Sequence, residues 1–170
     1  MKTNPNLQKT PTVKINRAKW RTGFTGQNHV LEDLFGTTSL VTEKGYMCCL
    51  GFACKQLMPS LTHKIINDAT EPAEIAFPLP GKRYKNLPLF ADFKDNNYRY
   101  SDDESKYSII KKSWIDDAIR INDSAAKSIE AKEFQLTQLF KENGITLEFV
   151  GDYTKKQIKA FEQAGIKLND

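Results

Sequence analysis

Apolar and polar positions alternate, cluster and thin out along this chain in a way that divides it into segments. Val13 and Ile15 alternate with Lys14 and Asn16, the period-two pattern of a short edge strand. Val30, Leu31, Leu34 and Phe35 repeat at helical spacing, and Gly36 closes that short helix. Residues 40–42 have strand character. Glu43-Lys44-Gly45 is a turn in which Gly45 is free to take a positive φ, and Tyr46 and Met47 finish a hairpin. The chain then enters its most apolar run, residues 45–58, with almost no position left for water. The spacing predicts a buried helix from Cys48 to Met58, stopped by Pro59, around which the rest of the fold is arranged.

Residues 70–103 have a different texture. Pro72, Pro78, Pro80 and Pro88 exclude a long helix, and aromatic residues interleave with charge, which predicts an irregular insertion carrying short strands. Helical periodicity returns over residues 106–120 through Ile110, Trp114 and Ala118, and ends at Ile121-Asn122-Asp123. Ser128 caps a helix over 129–142, with Glu130 in its first turn and an apolar face of Ile129, Leu136, Leu139 and Phe140; Asn143-Gly144 stops it. A strand follows over 145–150. Thr154 and Gln157 then form a capping box that opens a last helix, closed at Gly165. Together these segments predict an α+β fold. A small, mostly antiparallel sheet (13–15, 40–42, 46–47 and 145–150) packs on the buried helix and two or three further helices. The domain plan is a flexible basic arm over 1–12, one α+β domain over 13–150 with an insertion at about 70–105, and a helical appendage over 151–170.

The composition fits that plan and narrows the chemistry. The chain has 170 residues, 39% hydrophobic and 27% charged, enough for one domain with a real core. No apolar run reaches the length of a membrane span and the first residues are polar, so the expected location is the cytoplasm, without membrane contact. The net charge is +4, but residues 1–24 carry six cations and no acid, so the basicity is local to the arm and the remainder is acidic by two charges. Such an arm suits phosphate or an acidic partner, and equally a solubilising tail. Three cysteines, two of them adjacent in an apolar run, suit reduced thiols better than a disulfide framework.

Several residues carry candidate chemistry. Cys48 or Cys49 opens a helix after a strand, a place where a thiol can become a nucleophile, and His29 and His63 are the histidines available as a base; a cysteine-dependent hydrolase or transferase built on Cys48 or Cys49 with His63 is therefore one reading. The other reading of the same thiols is inert core. No Cys-x-x-Cys pair exists, so no metal site is expected. The Gly-rich nucleotide fingerprints are absent, and no cofactor is expected. Trp20 between Lys19 and Arg21 can stack on a base while its neighbours meet phosphate, or it can plug the core edge. Lys82, Arg83 and Tyr84 offer a further basic and aromatic patch. Asn67-Asp68 and Asn122-Asp123 repeat a turn-building pair after an apolar segment.

Met47-Cys48-Cys49-Leu50-Gly51-Phe52, the later Asn122-Asp123, residues 128–140, Gly144-Ile145 and the upstream Lys19-Trp20-Arg21-Thr22-Gly23 together resemble a group of uncharacterised bacteriophage accessory proteins. The likeness covers about half of the chain, mostly 13–58 and 115–150. It implies a phage-encoded protein working in the bacterial host cytoplasm and transfers no activity. The leading expectation is a non-enzymatic binding protein that sequesters or blocks a host factor, either a defence protein or its nucleotide signal. Its expected binding residues are Trp20, Arg21, Asn67, Asp68, Lys82, Arg83, Tyr84, Asn122 and Asp123. Nucleic acid, through the arm and Trp20, is the alternative partner class, and self-association into a homo-oligomer is compatible with the pattern.

Overall fold

In the computed structural model, residues 10–22, 40–42, 44–59, 114–124 and 126–169 are described. In chain order they form strand β1 (Thr12–Asn16), a 3-10 turn (Arg17–Lys19), helix α1 (Cys49–Leu57), helix α2 (Trp114–Asp123), helix α3 (Ile129–Glu142), strand β2 (Thr146–Val150) and helix α4 (Lys155–Gln163). The architecture is α+β.

The strand alternation predicts is real, but its partner is not a hairpin neighbour. β1 pairs with β2 in parallel, in the register Thr12 to Thr146 through Asn16 to Val150. The expected mostly antiparallel sheet is thus corrected: among the described residues the sheet has two strands, both parallel. Residues 40–42 and 46–47 contribute only single bridges, Val41 to Met47 antiparallel and Trp20 to Met47 parallel. Alternation marks which face of a strand is buried and says nothing about the direction of its neighbour. Parallel pairing needs a long crossover, which this chain provides through its helices.

Val13 and Ile15 point inward from β1 and Leu147 from β2, all into one apolar cluster. The outer edge of β1 is closed by a side chain. The Gln56 amide accepts from the Lys14 N–H at 2.9 Å and donates to the Lys14 C=O at 2.7 Å, taking the place of a third strand.

α1 is the centre of the core, with Cys49 through Cys54 all buried. Its start is set by Cys48, whose Sγ accepts from the Gly51 N–H at 3.4 Å. Gly51 is dictated by close approach: a Cβ there would lie 1.9 Å from the Leu40 carbonyl oxygen. The turn before α1 has Gly45 at φ 76°, as its sequence predicts.

α3 runs over the predicted residues. The Ser128 Oγ accepts from the Ala131 N–H at 3.1 Å, and the C-terminal tail meets two further orphan N–H groups, Ile129 donating to Lys167 C=O at 2.9 Å and Glu130 to Leu168 C=O at 3.0 Å. Its inward stripe is Ile129, Lys132, Leu136 and Phe140. Trp114 of α2 packs edge-on to Phe140, ring centres 5.2 Å apart. The Thr154–Gln157 capping box is present on α4. That helix sends Ala160 and Phe161 into the common core, so residues 151–169 are packed on the domain.

Candidate functional site

Six of the residues singled out by sequence meet at one buried junction where the start of α1 abuts the end of α2. Asn122, in the last turn of α2, is its hub. Its Oδ1 accepts from the Trp20 indole N–H at 3.0 Å and from the Cys49 backbone N–H at 3.4 Å. Its Nδ2 donates to the Arg21 C=O at 3.1 Å and to Asp123 Oδ1 at 2.8 Å. A carboxamide has two acceptor and two donor positions, so this one has nothing left for a ligand. The Asn122 C=O, an orphan at the helix end, accepts from Lys132 Nζ at 3.1 Å.

Trp20 is 1% exposed, with its ring against Phe149 at 4.8 Å. It therefore stands in the core, not on a stacking platform. Arg21 is buried beside it. The two thiols at the junction are poor nucleophiles. Burial pushes the Cys48 thiol up to about 11, with Asp123 adding to the effect and the Gly51 N–H opposing it. Cys49 is raised well above the ordinary thiol value too, by burial first and then by Cys48 and Asp123. Cys54 is raised as well, again chiefly by burial. All three are protonated at neutral pH, the reverse of what thiolate chemistry requires.

His63, Asn67, Asp68, Lys82, Arg83 and Tyr84, like His29 and the 70–105 insertion, lie outside the described residues. The arm is described only from Thr10, and Pro11 C=O already accepts from the Thr146 N–H at 2.9 Å.

Lys132, Arg17 and Tyr153 carry no functional signal in the sequence, and Gln157 carries only that of a helix cap. Lys132 occupies a core position with 0% exposure, and burial pushes its amine down to about 8 against the opposing pull of Asp123. Its spacing from Ile129 and Leu136 placed it on the apolar stripe, but a lysine is ordinarily assigned to water. Arg17 grips Glu133 with two bonds of 2.7 Å and also reaches the carbonyls of Phe149 and Gly151. Tyr153 donates to the same Glu133, tying the end of β2 to α3. Gln157 donates from Nε2 to the Arg17 C=O at 2.8 Å, which fastens α4 to the turn after β1.

The open surface lies elsewhere. α2 and α3 border a groove of about 460 Å³ lined by, among others, Ile121, Leu139, Phe134, Lys127 and Glu142. Phe134 stands 65% exposed on its wall, while Ile121 and Leu139 are half-buried on its floor. Asp117 and Arg120 pair with each other at its rim.

No protein-family model, curated protein or solved structure matches the chain. Among the described residues, no helix is long and apolar enough to cross a membrane, and no group of three His, Cys, Asp or Glu side chains is gathered as metal ligands.

Proposed function

We propose that this chain is a non-enzymatic binding protein, encoded by a bacteriophage and acting in the bacterial host cytoplasm, where it sequesters or blocks a host factor. The observation that carries the non-enzymatic half of this reading is the state of Cys48 and Cys49. Both thiols are held protonated by burial, at a junction whose carboxamide, Asn122, has its bonding capacity fully used. The phage and host half is supported by the resemblance carried by Met47-Cys48-Cys49-Leu50-Gly51-Phe52 and Asn122-Asp123. Burial of Trp20 counts against the nucleic-acid reading, because a base cannot stack on a ring already covered by Phe149.

Affinity purification of the tagged full chain from bacterial lysate, with mass spectrometry for proteins and small molecules, tests the reading. The expected result is one companion at stoichiometric yield, a protein or a nucleotide. Recovery of no companion from several hosts overturns it.

A further inference from the structure

The outer face of α3 has a symmetry of its own. Ala131, Phe134, Gln138 and Glu142 follow at spacings of three and four residues, so they share one stripe of the helix, and Lys127 stands just before its N-cap Ser128 on the same groove. Phe134 stands on that stripe and is the most exposed large apolar side chain among the described residues. A cation, Lys127, marks one end and an anion, Glu142, marks the other, and both border the groove. Neither is joined to another described residue by an ion pair, whereas Asp117 and Arg120 have used each other.

We propose that this face binds a second copy of the same chain, with the two α3 helices antiparallel across a two-fold axis at Phe134–Gln135. The midpoint between positions 127 and 142 falls between residues 134 and 135. A two-fold axis there sets Lys127 of one copy against Glu142 of the other at both ends, faces the small Ala131 to Gln138, and brings the two Phe134 rings together over the groove floors. An isologous contact demands a patch complementary to its own reverse, and a groove with a cation just before the start of α3, an anion at the end of α3 and an aromatic ring between them meets that demand. Antiparallel helices also oppose their dipoles favourably. α3 is about 21 Å long at 1.5 Å per residue, so the contact is small and the dimer weak. This inference is independent of the binding reading above: a monomeric protein can still hold a host factor, and a dimer can lack one.

Sedimentation equilibrium of the full chain tests it. The mass is expected to move from one chain toward two as concentration rises. Lys127→Glu and Glu142→Lys are each expected to weaken association about tenfold, since each turns two attractive pairs into repulsive ones. The double variant Lys127→Glu/Glu142→Lys is expected to restore it, because the two-fold axis re-pairs the exchanged charges between copies. Phe134→Asp is expected to abolish it. A chain that stays monomeric up to about 1 mM overturns the proposal, since even a feeble specific contact is populated there. So does a dimer indifferent to Phe134→Asp, or a double variant no better than the single ones.

Discussion

The Asn122 junction and the outer face of α3 are built from similar residue types and have opposite characters. At the junction an amide, an indole, the Cys49 thiol and a lysine are packed out of water beside the half-buried Cys48 and Asp123, and Asn122 spends every donor and acceptor it has inside the fold. On α3, a phenyl ring and two charges stand at a groove with no ion pair joining either charge to a described residue. A residue of chemical interest buried and saturated is scaffold, and one exposed and unsaturated is available for recognition. The cysteines, which draw the eye in the sequence, fall on the first side of that division.

Substitutions separate the two regions by size of effect. The largest is expected beneath the junction, at Gly51. Gly51→Ala drives a Cβ into the Leu40 carbonyl, which cannot rotate away, and should cost about 3 kcal/mol or more in urea denaturation. Next comes Asn122→Ala. It strips the partner from the Trp20 indole N–H and the Cys49 N–H in a buried site, for an expected loss of about 2–3 kcal/mol by the same measurement. A loss under about 0.5 kcal/mol would place Asn122 with ordinary surface residues and erase the distinction.

Lys132 gives a pH-dependent effect of intermediate size. Its folded amine titrates at about 8, against 10.5 for an ordinary lysine. Between those values the unfolded chain holds a proton that the folded chain lacks, so stability rises as pH climbs from about 8 to 10.5 and the penalty is fully present below 8. The gain is at most about 3 kcal/mol, read as denaturation midpoint against pH, and Lys132→Met should flatten that slope. The smallest effect is expected on α3, where Phe134→Ser should move folding stability by no more than about 0.5 kcal/mol while removing self-association.

Local chemistry made the helix ends legible in the sequence. Ser128 and the Thr154–Gln157 pair bond within three residues of themselves, and Gly144 and Gly165, both at positive φ, sit just past the ends of α3 and α4. The junction was visible only as parts. Trp20 and Asn122 are 102 residues apart, and an Asn-Asp pair read locally is a turn former; here it forms the last turn of α2. Lys132 was missed because position on a stripe and residue type disagreed, and type was followed. The parallel pairing of β1 with β2 was missed because alternation encodes a buried face and not a neighbour's direction. Gly51 stands in the sequence only as part of the 47–52 motif, since its structural constraint comes from a carbonyl eleven residues upstream.

The claim that the cysteine-rich run is structural is tested most directly by thiol labelling of the folded full chain with iodoacetamide near neutral pH. With Cys48 pushed up to about 11 and burial holding Cys49 well above the ordinary thiol value, labelling should be slow in buffer and reach three thiols only in denaturant. Rapid, stoichiometric modification of Cys48 or Cys49 in the native protein would contradict the account and return the thiol-enzyme reading to first place.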